Sequence, residues 1–206
     1  MYGKIKVDVL EATLMEDLER YQTRARALGA SDAVVMAVPH LVVDERVRAK
    51  CLIPRCENYG HSANCPPMLP PLDEVRRIIA LYHWGILFKI EVPADVSMKK
   101  DSVWRTQELN IVCTLESEAY YDGYYFAMGL SALPCKSTLC PTAACAALSP
   151  GGQCSYPFRA RPSLQGLGID VIRLANGARW TLDPAGMKTT GDGISRISLI
   201  GLVLIH

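Results

Sequence analysis

The sequence predicts an α/β fold: a single compact domain with a central mixed sheet flanked by helices, and two cysteine-rich loops. Three observations carry this. Short apolar or alternating runs recur between segments of helical period. Glycine and proline punctuate the joins between them. The 206 residues, half apolar and about a fifth charged, suit one domain spanning residues 1–206. A chain of that length buries roughly 70% of its unfolded surface on folding, so its cysteines are not needed as staples.

The elements follow in chain order. Lys4–Leu10 alternates Ile5, Val7 and Val9 with Lys4, Lys6 and Asp8, the pattern of a half-buried strand. Thr13 with Glu16 has the form of a capping box, opening a helix that reaches Leu28 and stops at Gly29. Asp32–Val38 is rich in Val and Ala and reads as a buried strand. The polar stretch Asp44–Lys50 leads into the first cysteine loop, residues 51–71. After the prolines at 66–71, Leu72, Val75, Ile78, Ile79 and Tyr82 form a helical stripe through His83. Gly85–Val92 is the clearest strand, and Pro93 ends it. Ser102 is placed to cap a long helix through Tyr121, carrying Val103, Leu109, Val112, Leu115 and Ala119. Asp122-Gly123 turns the chain into the apolar segment Tyr124–Leu130. The second cysteine loop, residues 135–162, precedes a short helix from Pro162 and a last strand, Ile194–Leu204. Strands alternating with helices imply two or three layers.

Composition narrows the function. A formal net charge of +1 creates no field to recruit nucleic acid or acidic lipid. The first four residues lack the pattern of a secretory signal, and the last apolar run is far shorter than the roughly 20 residues that span a bilayer. A cytoplasmic location follows as the expectation. There, eight cysteines point to metal ligands or catalytic thiols rather than disulfides.

The thiols are patterned. Cys51, Cys56 and Cys65 are spaced C-x4-C-x8-C, and Cys140, Cys145 and Cys154 repeat that spacing, with Cys135 just upstream. Each triple leads through proline towards an expected helix, as a degenerate internal repeat would. Thiolates select zinc, copper(I) or iron–sulfur clusters over hard cations. Structural zinc favours tight C-x2-C knuckles, whereas this wider spacing suits one or two bulkier 4Fe–4S clusters. Zinc is the alternative. The second loop offers four thiols and the first three. The first centre's fourth ligand is Cys113, His61, Tyr59, a thiol from the other loop, or nothing; an open iron there would be the site of chemistry, assisted by His61 or Arg55. Cys113 lies on an apolar helical stripe and reads foremost as a core residue. Arg55, Arg159 and Arg161 are available to neutralise a cluster, although ordinary ion pairing is their commoner use. The group Tyr120, Tyr121, Tyr124 and Tyr125 reads as core packing. Neither Pro150-Gly151-Gly152 nor Gly191-Asp192-Gly193 fits a phosphate-loop fingerprint.

Cys51-x4-Cys56-x2-Tyr59-Gly60-x4-Cys65-Pro66-Pro67 resembles the signature of an uncharacterised bacterial and archaeal family of predicted metal-binding proteins. Asp44-Glu45-Arg46-Val47-Arg48, Tyr121-Asp122-Gly123-Tyr124-Tyr125, Arg161-Pro162-Ser163 and Gly168-Ile169-Asp170-Val171 fit the same resemblance. The family's second cluster is tighter, typically C-x2-C-x2-C before its last cysteine, so this chain departs from it there. The resemblance implies metal binding and no particular reaction. The resulting expectation is an iron–sulfur protein in electron transfer, or an accessory to anaerobic cofactor chemistry, facing a redox partner protein or a small-molecule substrate. A zinc-stabilised binding module and a metallochaperone or thiol enzyme are the rivals.

Overall fold

The computed structural model describes residues 5–93, 103–182 and 196–206. The expected Ser102 cap and the Gly191-Asp192-Gly193 turn lie outside these residues. The long helices form where apolar residues recur on one face. In α1 (Glu11–Ala27) Leu14, Leu18, Tyr21 and Ala25 are buried. The helix begins at Glu11, before Thr13, and no side chain caps it. The Thr13 capping box is thus corrected; Glu11 instead puts negative charge at the positive end of the helix dipole. At its other end Gly29 adopts φ +103°, where glycine alone is unstrained. The Ala30 N–H donates to Ala25 O and that of Gly29 to Arg26 O, closing the end as a Schellman motif.

Residues 5–10 are not a strand. Ile5 and Val7 are each 68% exposed, and beyond α1's own turn the stretch makes one backbone bond among the described residues, Lys6 N–H to Gly123 O. Alternation marks a strand only where a partner edge is free to receive it.

The four-stranded sheet has the order β1-β2-β4-β3, with β1 Asp32–Ala37, β2 Trp84–Pro93, β3 Met128–Leu130 and β4 Arg196–Leu204. Every described ladder is antiparallel, from Asp32↔Lys89 in the first pair to Met128↔Leu204 in the last. The sheet is therefore not mixed: β2 and β3 run in the same sense, but β4 lies between them and antiparallel to both. β1 is a half-buried edge strand rather than a buried one. Gln22 and Arg26 of α1 donate to its Ala33 carbonyl, which blunts the open edge.

Three layers result. On one face Ile86, Phe88, Ile90, Leu199 and Val203 pack against α1 and the 19-residue helix α4 (Val103–Tyr121). On the other, Leu87, Leu130, Ile200, Leu202 and Leu204 meet α3 (Leu72–Ile79), residues 164–169 and α6 (Val171–Gly177). The helix expected from Pro162 starts only at Val171, where Asp170 caps it through Arg173 N–H; a 3-10 turn, Gln165–Leu167, comes first. Of the tyrosine group only Tyr124 is core, donating to Asp17; Tyr120, Tyr121 and Tyr125 are exposed. Among the described residues no helix is long and apolar enough to cross a membrane.

Gly201 sits where β4 passes under α4. A Cβ there would lie 2.4 Å from Phe88 Cζ and 2.8 Å from Glu108 Oε1, and both side chains are wholly buried. Gly201→Ala should therefore lose about 1–3 kcal/mol to overpacking, more than the ~0.5–1 kcal/mol that a stiffer backbone returns. A fall in the denaturant midpoint at unchanged slope checks this.

Candidate metal centre

Both cysteine loops are rooted in the same strip of chain, residues 162–170. The first is entered through α2 (Glu45–Ala49), a short helix that the polar stretch Asp44–Lys50 conceals in the sequence; Asp44 caps it by accepting from Arg46 N–H. Asp44 N–H donates to Gly168 O, and Asp170 N–H to Val42 O. From α2, Arg48 donates through Nε to Gly166 O at 3.0 Å and through Nη1 to Pro70 O at 2.8 Å, drawing the loop's two ends together. The second loop leaves β3 at Ser131, whose N–H donates to Pro162 O while its carbonyl receives Leu164 N–H. Glu108 of α4, wholly buried, accepts from Ser131 Oγ at 2.6 Å and Ala132 N–H at 2.9 Å. Burial pushes its carboxyl up to about 7, against the pull of those two hydrogen bonds.

Within the first loop, tight turns bring the thiols onto one side. Cys56 N–H donates to Cys51 O, Cys65 N–H to Ser62 O, and Gly60, at φ +75°, closes the hairpin by donating to Pro66 O. Tyr59-Gly60 thus serves the turn. Asn58 N–H points at Cys56 Sγ, 3.5 Å away. Cys65 is 4% exposed, while Cys51 and Cys56 are half-buried. Burial pushes the Cys65 thiol up to about 12; repulsion from Cys135, Cys56 and Cys51 adds to this and a hydrogen bond from Ser62 opposes it. Burial, then Cys56, likewise raises Cys51, and Arg48 opposes.

The second loop opens with α5 (Cys135–Leu139), whose Cys135 is buried at 8% exposure. Cys140, Cys145 and Cys154 are half-buried. Burial raises the Cys140 thiol, with repulsion from Cys135, Cys145 and Cys154 behind it. Lys136 Nζ donates to the carbonyls of Cys140 and Pro141, and Tyr156 N–H approaches Cys154 Sγ at 3.3 Å. The matching cysteine spacing does not become matching structure: α3 follows Cys65 closely, whereas α6 begins well beyond Cys154.

The remaining candidates separate. Cys113 lies on α4, its thiol 3.5 Å from Arg159 O and pushed up to about 11 by burial. His61 is exposed. Arg161 pairs with Glu116 at 2.5 Å, Arg159 donates to Asn110, and Arg55 lies over the Tyr59 ring at 5.2 Å. These three are occupied in holding the loops. Arg105 Nε and Arg48 Nη2 are buried without a partner among the described residues; the charge felt by Cys51 is that of Arg48. Residue type hid it, because a helix of five residues carries no periodic signal. Ser62, Asn58 and Asn64, buried or half-buried polar residues among the cysteines, were equally silent in the sequence.

All eight cysteines are free. Among the described residues no three His, Cys, Asp or Glu side chains already form a ligand set for a single ion. The donor chemistry nevertheless fits a thiophilic centre. Mutually repelling, partly buried thiols gain from a cation that holds them as thiolates, and the orphaned Arg48 nitrogen gains from the negative charge such a centre carries.

A family model described as "Predicted metal-binding protein (DUF2284)" matches residues 34–205. No curated protein and no solved structure matches the chain.

Proposed function

The chain belongs to that family of predicted metal-binding proteins, and on this premise we propose that its two cysteine loops hold iron–sulfur chemistry in the cytoplasm, for electron transfer or in support of another enzyme's cofactor. One observation carries the reading: seven free thiols crowd two adjoining loops, with an unpartnered buried guanidinium nitrogen beside them. Cys51, Cys56, Cys65, Cys135, Cys140, Cys145 and Cys154 are the ligands. The wide x4 and x8 spacings favour a centre larger than one tetrahedral ion. When bound, such a centre supplies one-electron chemistry, or a Lewis-acidic iron if one position stays open. The protein's part is to bury Cys65 and Cys135 away from solvent, to direct N–H groups at sulfur from Asn58 and Tyr156, and to balance charge through Arg48.

Protein prepared without oxygen should be brown, contain iron and acid-labile sulfide in near-equal amounts, and show a broad visible absorption that bleaches on reduction. A Cys56→Ser variant should lose metal. A colourless protein with stoichiometric zinc overturns the iron–sulfur reading, and full metal content in Cys56→Ser overturns the ligand assignment.

A further inference from the structure

Cys135 precedes Cys140, Cys145 and Cys154 in the chain, and its sequence position assigns it to their loop. Its surroundings also tie it to the first loop. Ser62 Oγ lies 3.8 Å from the Cys135 sulfur and Asn64 Nδ2 donates to it at 3.5 Å. Ser62 and Asn64 sit between Cys56 and Cys65, and Cys65 N–H donates to Ser62 O. One turn on, Ser137 Oγ accepts from Asn58 Nδ2 at 3.0 Å, a second tie between α5 and the same loop. Cys65 and Cys135 are also the two buried cysteines, and the other six are half-buried. Ser62 is itself only 1% exposed, so its hydroxyl has little beyond sulfur and the local turn to serve.

We propose that Cys135 completes the first loop's centre as its fourth sulfur, with Cys51, Cys56 and Cys65, and that Cys140, Cys145 and Cys154 form a separate three-sulfur centre. This rests on the metal-binding reading above and changes where chemistry belongs. Four sulfurs close the first centre to ligands, and hydrogen bonds from Asn64 and Ser62 tune it as an electron carrier does. The second centre keeps an open coordination position, the arrangement that lets a metal act on a substrate. A cleft of about 760 Å³ opens beside Thr138 and Pro141, which flank Cys140; its wall mixes Arg105 and Asn110 of α4 with Leu28 and Ile111, and none of the three cysteines lines it.

The experiment counts iron and sulfide in anaerobically reconstituted full-length protein carrying Cys65→Ser, Cys135→Ser, Cys154→Ser and their pairs, with circular dichroism to verify folding. Cys65→Ser and Cys135→Ser should remove the same share of iron, about half when both centres are filled, and their pair no more than either alone. Cys135→Ser with Cys154→Ser should remove the sum of the two single losses. Asn64→Ala, which leaves every ligand in place, should shift the reduction potential of the paramagnetic signal that Cys65→Ser abolishes and no other. Losses from Cys135→Ser that merge with those of Cys154→Ser and add to those of Cys65→Ser overturn the partition. So does a loss shared by all three variants, which means one common centre. Iron lost in Cys65→Ser but retained in Cys135→Ser overturns the role of Cys135 alone. Full iron in every variant overturns the ligand assignment and this proposal with it, whereas no iron in the wild-type protein overturns the metal reading itself.

Discussion

Stripped of metal under anaerobic conditions, the protein should lose order in its two cysteine loops and keep its sheet. The reason is the distribution of buried apolar surface. Between residues 51 and 71, and between 135 and 162, the described core includes only Cys65 and Cys135. The buried residues of both packed faces come from outside those stretches, and from within them only the half-buried Leu69 packs against a face among the described residues. Metal-binding free energy in zinc-finger peptides is on the order of 10 kcal/mol and is there the whole folding energy. Here a conventional core supplies the fold, and the metal's share falls on the loops. Amide exchange in both loops should accelerate by at least ~100-fold on metal removal, while β2, β4 and α4 keep their protection. Cooperative unfolding of the whole chain would show instead that metal nucleates the fold, and unchanged exchange in the loops would mean that metal does not hold them.

Glu108→Gln should make the protein markedly more resistant to denaturant at pH 8 and leave it nearly unchanged at pH 4.5. Glu108 is wholly buried and titrates in the folded protein at about 7, against an ordinary value of 4.5. Between those values the folded chain keeps a proton that the unfolded chain has released. Stability therefore falls as pH rises through this window, and above pH 7 the fold carries a buried anion. At ~1.4 kcal/mol per pH unit the full difference is about 3 kcal/mol. Glutamine removes the titration and keeps both contacts, since its oxygen still accepts from Ala132 N–H and its amide donates to Ser131 Oγ. Denaturant midpoints across pH 4.5–8 test this: the wild-type curve should slope down and the variant's should not. Parallel curves would exclude Glu108 as the group responsible. Glu108→Ala, which leaves Ser131 and Ala132 without their acceptor, should be less stable than wild type at every pH in that range.

What was legible in the sequence was whatever a local pattern decides. α1, α4 and β2 announce themselves by period, and Gly29 marks an end where expected. The cysteine loops were legible because thiol spacing is a chemical pattern that survives any fold. Misreadings came where the outcome depends on distant partners. Ile5, Val7 and Val9 alternate like a strand but have no edge to join, and the sheet is antiparallel because β4 inserts between β2 and β3. Glu108 falls in step with Val112, Leu115 and Ala119 on the buried stripe of α4, so its position was readable; its donors, 23 and 24 residues away, were not. Arg48 and Asn64 depend in the same way on groups brought near by the fold.

The place of β4 in the sheet has a consequence for synthesis. It is the last of the four strands to leave the ribosome, yet it is the one that joins β2 to β3. Until residues 196–204 emerge, β2 and β3 have no shared neighbour, and the edges that β4 will join stay unpaired. The nascent chain thus holds an open sheet edge for about half of its translation, a state in which aggregation competes with folding. β3 anchors the second cysteine loop, so that loop gains its fixed root only when β4 docks, and its metal has a finished site to enter only after that.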